Sequence, residues 1–230
     1  MKIIKKFFNF ILFIFLIAAA LLVLQGYGKY KTALTGLSPE NAVNKLKTKE
    51  LYIAFDDIPV TLKNAVVAVE DRRFYSHGGI DPVGIFRAVK RDIKLKTAAE
   101  GGSTITQQLA KNIYFMGDDS PSRKIAEMFM AIELEKAFSK DEILEYYLNI
   151  IYFGSGYYGI GEAAKGYFGK QPAFLSDYEC TLLAGLPNAP SAYSPKNNPA
   201  LAENRRQKVV KAMIREGFIT TEEEKNLMQK

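Results

Sequence analysis

Residues 101–113 read GGSTITQQLAKNI. Two glycines followed by residues of good helix propensity predict a helix that begins directly after the glycines. On this helix Ser103, Gln107 and Lys111 are four residues apart and share one polar face, while the apolar residues fall on the opposite face. Such polar groups beside the free N–H groups of a helix start suit a phosphate, although an ordinary capped amphipathic helix explains the same residues. The spacing is not that of a nucleotide-binding P-loop, because no Gly-Lys-Ser/Thr follows.

Helix start signals occur on both sides of this stretch. Asp81-Pro82 and Ser120-Pro121 each place a capping residue before a proline, which predicts helices that run to about residues 96 and 137. Capping boxes are predicted at Ser139/Glu142, Ser176/Glu179 and Thr220/Glu223. Gly217 is placed to end a helix that begins near Pro199. Because few segments alternate like strands, the sequence predicts a mainly α domain.

The N-terminal segment is strongly apolar. Residues 7–24, FFNFILFIFLIAAALLVL, contain a single polar residue, Asn9. A helix of this length is about 27 Å long, which is enough to cross a bilayer core. Lysines precede it, so the positive-inside rule predicts a cytoplasmic tail at residues 1–6 and an exported domain. A cleaved signal peptide is the alternative, although the apolar run is long for one.

The segment after the predicted anchor shows no clear periodicity. We therefore expect residues 25–55 to form a linker and residues 56–230 to form the exported domain. The net charge of +6 does not belong to that domain, because residues 1–31 contain five lysines and no acidic residue. The remaining 26 basic and 25 acidic residues nearly balance, so no nucleic-acid partner is expected. A single cysteine and a single histidine exclude an intramolecular disulfide and disfavour a zinc site.

Two further groups of polar residues are candidates for chemistry. Glu70 and Asp71 close an apolar segment, where a partly desolvated carboxylate can act as a base; an ion pair with a neighbouring arginine is the alternative. Arg123, Lys124 and Glu127 share one face near the start of a predicted helix. They either point into a cleft or form a simple helical ion pair.

Taken together, several motifs in this order resemble the peptidoglycan glycosyltransferase (transglycosylase) family, in its monofunctional form and as the N-terminal domain of class A penicillin-binding proteins. The motifs are Glu70-Asp71…Phe74…His77-Gly78, Gly102-Ser103-Thr104-Ile105-Thr106-Gln107-Gln108…Lys111-Asn112, Arg123-Lys124…Glu127, Ile143-Leu144-Glu145…Tyr147-Leu148-Asn149 and Leu186-Pro187-Asn188-Ala189-Pro190-Ser191…Pro195. The resemblance covers about residues 55–215 and implies a lysozyme-like, two-lobed α fold with a cleft between the lobes and a small lobe that dips into the membrane.

The resemblance also implies the reaction. Glu70 matches the general base, which takes a proton from the 4-hydroxyl of lipid II; this oxygen then attacks the growing lipid-linked chain with inversion, and undecaprenyl pyrophosphate leaves. Glu127 matches a second carboxylate, which orients donor groups or helps to hold a divalent cation such as Mg²⁺ or Mn²⁺. Positions that hold pyrophosphate are matched by Lys111, Arg123 and Lys124, and positions that line the cleft are matched by Ser103, Gln107 and Arg87. The membrane and other proteins of cell-wall synthesis are the further expected partners.

The chain departs from the family pattern at Asp118-Asp119, because many relatives carry an arginine shortly before the Arg-Lys pair. No serine is followed three residues later by lysine, so no transpeptidase activity is expected. The basic, amphipathic helix predicted from residue 81 is expected to lie near the membrane, or else to be an ordinary solvated face. The alternatives to a synthetic enzyme are a lysozyme-like hydrolase or lytic transglycosylase and a membrane-tethered scaffold that has lost catalysis.

Overall fold

A computed structural model describes residues 2–95 and 101–228. Regular structure in these residues is helical, apart from an isolated bridge between Tyr152 and Tyr158. The α-helices of the described residues are α1 (Lys2–Gly36), α2 (Pro39–Lys47), α3 (Val60–Glu70), α4 (Pro82–Leu95), α5 (Ile105–Tyr114), α6 (Pro121–Ala137), α7 (Lys140–Ile150), α8 (Ile160–Phe168), α9 (Asp177–Gly185), α10 (Pro190–Tyr193), α11 (Pro199–Arg215) and α12 (Thr221–Met228). The predicted mainly α class is confirmed.

Helix α1 contains the predicted membrane span at residues 7–24 and is long and apolar enough to cross a membrane. It differs from the prediction beyond that span. The helix continues to Gly36, and α2 follows after its N-cap Ser38, so most of the predicted linker at residues 25–55 is helical instead. The buried residues of α2, namely Pro39, Ala42, Val43 and Leu46, do recur at helical spacing, but this helix has only nine residues, so its periodic signal is short.

The C-terminal part of α1 packs along α6. Gly26 lies so close to α6 that a Cβ atom built on it would be 2.5 Å from Cβ of Ile125. One turn further along α1, the ring of Tyr30 stacks on that of Phe129 at a centroid distance of 5.6 Å. Residues further along α1 therefore contact residues further along α6, so the two helices run in the same direction. The N-terminus of α6 consequently lies beside the point where the apolar span of α1 ends.

The hydrophobic core surrounds α3, which packs against α9 and α11, while α5 packs against α6 and α7. Residues 65–68 of α3 are buried, as the apolar run predicted. Helix α6 buries Ala126, Met130 and Leu134 and lies between α5 and α1. This packing brings the C-terminus of α3 and the N-termini of α5 and α6 to one side of the domain.

Most of the predicted helix starts are confirmed. Helices α4 and α6 begin at the predicted prolines, and capping boxes form at Ser139 and Ser176. Thr220 exchanges the same pair of hydrogen bonds with Glu223. Gly217, with a φ of 77°, follows the end of α11.

Candidate active site

A cleft of about 990 Å³ opens where α3 ends and where α5 and α6 begin. Helix α4 and residues 101–102 line one side, and residues of the 187–190 segment and α11 line another. The predicted site residues that line it are Glu70, Arg87, Ser103, Lys111, Arg123, Lys124 and Glu127. The fold thus collects in one space residues that are widely separated in the sequence.

Glu70 is the last residue of α3. Its Oε2 accepts a hydrogen bond of 3.0 Å from Nε2 of Gln108, and its Oε1 lies 3.8 Å from a guanidinium nitrogen of Arg205. Tyr147 donates a hydrogen bond of 3.2 Å to Oε1 of Gln108 and so fixes which end of the amide faces Glu70. Burial and the nearby carboxylates raise the pKa of Tyr147 well above its ordinary value, so this hydroxyl remains a donor.

Asp71, which follows Glu70, joins two parts of the site. Its Oδ1 lies 2.8 Å from Nε2 of His77, and its Oδ2 accepts a hydrogen bond of 3.0 Å from the backbone N–H of Ile105. Burial lowers the pKa of His77, but the hydrogen bond and charge of Asp71 outweigh it and raise that pKa overall. The carboxylate of Asp71 therefore binds the start of α5 to the end of α3.

Helix α5 begins later than predicted, after Ser103, although Ile105 and Leu109 are buried as expected. Thr104 is the N-cap and forms a capping box with Gln107, whose Oε1 accepts a hydrogen bond of 2.9 Å from the backbone N–H of Thr104. The structure therefore corrects the expectation that Gln107 lines the cleft: it is buried and used by the cap. Ser103 precedes the helix, and the residues of α5 that line the cleft include Gln108 and Lys111.

The first turns of α6 carry the predicted cationic group. Arg123 and Lys124 hydrogen bond to the two carboxylate oxygens of Glu127 at 2.7 and 2.8 Å, and only 1% of the Glu127 side chain is exposed. Lys124 also donates a hydrogen bond of 2.7 Å to the hydroxyl of Ser103. The buried Nε of Arg123 has no hydrogen-bond partner among the described residues. An anion in the cleft could satisfy this donor.

The donor set does not fit a resident divalent cation. Both oxygens of Glu127 already accept from cationic side chains. In the described residues, the group whose ligand atoms lie close enough together for a metal is Asp71, His77 and Asp81. The two carboxylate oxygens of Asp71 already interact with His77 and with the N–H of Ile105. Asp81 caps α4 at Val83 and lies 3.4 Å from the guanidinium of Arg73. The carboxylates of the site are therefore already paired with cationic, imidazole or N–H groups.

The structure adds two residues that the sequence did not indicate. Gln108 differs from the expected Gln107 by one position, and a correct assignment of Thr104 as the N-cap would have identified it. Arg205 lies on α11, far from Glu70 in the sequence, and it also donates a hydrogen bond of 3.2 Å to the carbonyl of Gly185. Such a contact has no local signal in the sequence.

Comparison with known proteins identifies the family of this chain. The profile of the transglycosylase family matches residues 39–214. Penicillin-binding protein 1A of Aquifex aeolicus is 47% identical over 182 residues, which cover 79% of this chain and 25% of that protein. A provisionally named transglycosylase of Cupriavidus necator is 45% identical over 169 residues, which cover 74% of this chain and 73% of that protein. A crystal structure of penicillin-binding protein 1A from Haemophilus influenzae aligns with a TM-score of 0.45 and 25% identity, over 78% of this chain and 17% of that one.

This chain spans about a quarter of the length of the Aquifex aeolicus protein that it matches. The match to the Cupriavidus necator protein, by contrast, covers most of both chains. Since the family profile also covers well over half of this chain, the chain belongs to the transglycosylase family, the glycosyltransferases of peptidoglycan synthesis.

Proposed function

We propose that this chain polymerises lipid II into β-1,4-linked glycan strands with release of undecaprenyl pyrophosphate. The observation that carries the proposal is the cleft, in which Glu70 faces the same space as Lys111, Arg123 and Lys124. A base and a cationic leaving-group site are the groups that glycosyl transfer from a pyrophosphate donor requires. A glycoside hydrolase needs carboxylates but no cationic site of this kind.

In the proposed reaction Glu70 is the general base. It takes the proton of the 4-hydroxyl of the acceptor sugar while that oxygen forms a bond to the anomeric carbon of the donor. The bond from this carbon to the pyrophosphate oxygen breaks with its electron pair, and the configuration changes from α to β. Gln108 and Arg205 position the carboxylate and stabilise its negative charge before the proton arrives.

Negative charge develops on the pyrophosphate as it leaves. Lys111 is exposed to the cleft, and Arg123 and Lys124 are held in fixed positions by Glu127. Because these donors are in place before the reaction, stabilising the leaving group needs no reorganisation of the protein. We therefore assign Glu127 the role of orienting the two cations of α6, rather than that of a second proton-transfer group.

The position of α1 supports a substrate anchored in a membrane. We propose that α1 crosses the bilayer with its N-terminus in the cytoplasm and leaves the apolar region near Leu24. Gly26, which packs on the first turns of α6, is about 3 Å further along the helix axis. The basic start of α6 would then lie at the membrane surface, at the height of a lipid-linked pyrophosphate.

Helix α4 is a second element that we propose to contact the membrane. Its residues Val83 and Phe86 are exposed, the latter by 72%, while Arg87 lines the cleft. An apolar surface beside basic residues suits the interface of an anionic bilayer. Lys96, which was predicted to belong to this basic helix, lies outside the described residues.

The proposal is tested with the full chain in lipid vesicles that contain labelled lipid II. Glu70→Gln should reduce polymer formation by roughly 10²–10⁴-fold, because the amide cannot accept the proton. Lys111→Ala should lower both turnover and affinity for lipid II, because it removes a charge that meets the pyrophosphate before and during the reaction. Glu50→Gln and Lys165→Ala, exposed positions outside the cleft, serve as matched controls.

The assignment of the base fails if Glu70→Gln retains more than about a tenth of wild-type polymerisation while melting normally. Wild-type protein that makes no polymer from lipid II would refute the proposed reaction itself. Hydrolysis of preformed glycan by the wild-type protein would point to the lytic alternative.

A further inference from the structure

The turn between α5 and α6 is connected to the helix that we propose to span the membrane. Nζ of Lys29, on α1, contacts Oδ2 of Asp118 at 2.5 Å and the hydroxyl of Ser120 at 2.8 Å. The other oxygen of Asp118 accepts a hydrogen bond of 2.8 Å from the backbone N–H of Ser120. One lysine of α1 is thus joined to two polar side chains that directly precede α6.

These contacts replace the usual side-chain cap at the start of α6. Ser120 is its N-cap residue, but its hydroxyl makes no capping bond and instead meets Lys29 and Ser122. The hydrogen bond from Lys29, together with those from Ser120, holds the pKa of Asp118 well below its usual range. Asp118 therefore stays negatively charged at physiological pH and remains paired with the lysine. Arg123 and Lys124, the cations of the cleft, follow within the next two turns of the chain.

The remaining contacts between α1 and α6 restrain the helices less specifically. Next to Lys29 they are largely packing contacts, such as the stacking of Tyr30 on Phe129. Burial of apolar surface is itself non-directional, and the close approach of Gly26 to Ile125 brings the helices together without a hydrogen bond or an ion pair. Tyr30 donates a hydrogen bond to Glu133, but this lies further along α6, away from its basic start. Lys29 and Asp118 supply a directional contact close to the cleft.

We propose that Lys29 and Asp118 form a positioning pair that sets the height of the basic start of α6 above the bilayer. The inference rests on the proposed function, because height matters only if the substrate is anchored in the membrane. Lys29 is five residues beyond Leu24, or about 7.5 Å along the helix axis, and helical side chains point back towards the N-terminus. Its ammonium group therefore acts near the membrane surface. Through it, the depth of α1 fixes the depth of the cations that meet pyrophosphate.

Kinetics of the full chain provide the first test. Lys29→Met and Asp118→Asn should raise KM for lipid II in vesicles by about two- to fivefold, the range expected for one partly exposed ion pair, with little change in kcat. The same variants should match wild type when lipid II is in detergent micelles, which present no fixed plane. Lys31→Met removes an exposed lysine of the same helix that does not contact this turn, and it should have no effect. Reversal of the pair, by Lys29→Asp with Asp118→Lys, should restore KM.

The depth of the turn between α5 and α6 in the bilayer is measured separately from polymerisation activity. A fluorophore on Met116→Cys, an exposed position in the turn, reports quenching by nitroxide-labelled lipids. The native Cys180 does not interfere, because it is buried and its pKa is raised to about 12. We expect the extent of quenching to differ from that of wild type in Lys29→Met and Asp118→Asn, and to return to the wild-type level in the reversed pair.

Two results of the depth measurement decide between the proposals. Unchanged quenching in both single variants, with melting as in wild type, overturns the positioning role whether or not the protein makes polymer. If quenching changes as expected but the wild-type protein makes no polymer, the proposed function fails while the pairing of α1 with α6 stands.

Discussion

Gln108 joins the buried hydroxyl of Tyr147 to the carboxylate of Glu70, and its replacement by methionine tests whether this chain positions the base. Methionine has a similar length and no group that can form a strong hydrogen bond. Gln108→Met should therefore preserve the packing of α5 while it removes the donor to Glu70 and the acceptor for Tyr147.

The structure predicts two separate effects. A hydrogen bond to a charged group contributes about 1.5–3 kcal/mol, but Gln108 borders the cleft, where water can partly replace it; we expect kcat to fall by about tenfold. Tyr147 is fully buried, so its unpaired hydroxyl should cost about 1–3 kcal/mol of stability. In a domain of this size each kcal/mol lowers Tm by about 2–4 °C.

A second variant separates the two effects. Gln108→Met combined with Tyr147→Phe removes the unpaired hydroxyl, so the double variant should recover most of the lost Tm but none of the lost activity. The measurements are polymer formation from lipid II in vesicles and thermal melting, each for the single and double variants.

If Gln108→Met melts at a lower temperature but polymerises at the wild-type rate, Gln108 does not position the base, because its amide would then serve stability alone. Recovery of activity in the double variant would refute positioning of the base by Gln108 as well, since the loss would then follow from the unpaired hydroxyl and not from the base.

Three further outcomes follow from the geometry. Glu127→Gln should raise KM for lipid II and lower Tm, because a neutral amide cannot hold two cations; unchanged values for both would contradict its orienting role. The pKa of His77 is raised overall by Asp71 despite burial, so the stability that it contributes is present below about pH 6.5 and is lost as the pH rises through the raised pKa; His77→Gln should lower Tm more at pH 5.5 than at pH 8.5. Gly26→Leu should separate α1 from α6 and lower Tm, because its Cβ would lie 2.5 Å from an α6 side chain, whereas Gly28→Leu, at a position facing open space, should not.

The helix starts of this protein could be predicted because the groups that determine them lie within one turn. Ser139 and Ser176 each exchange two hydrogen bonds with a glutamate three residues later, and both residues of such a pair are visible in the sequence. The same is true of a proline that follows a capping residue, as at the starts of α4 and α6. These local capping signals were sufficient to predict the mainly α fold class.

The first turn of α5 is where the prediction from local sequence was wrong. The two glycines suggested that the helix begins at once, but Thr104 caps it and delays its first residue to Ile105. With Thr104 as the N-cap, Gln107 is the third residue of the helix, and its side chain turns back to accept a hydrogen bond from the N–H of Thr104. Gln108, one position further along, lines the cleft and donates a hydrogen bond to Glu70. The contacts of Arg205 with Glu70 and of α1 with α6 depend on the tertiary fold and have no local signal.

Asp118 illustrates why charge in a sequence cannot be assigned to a site by proximity alone. In the sequence alone, its negative charge would reduce the positive charge of the residues at the start of α6. In the structure its carboxylate is paired with Lys29, and the charge of a close ion pair largely cancels at the distance of the cleft. Lys111, Arg123 and Lys124 therefore share the cleft with the carboxylates of Glu70 and Glu127, and this group of residues keeps a net positive charge. Asp118 therefore lowers the positive charge of the cleft little. It connects the start of α6 to α1, the helix that we propose to hold the domain at the membrane.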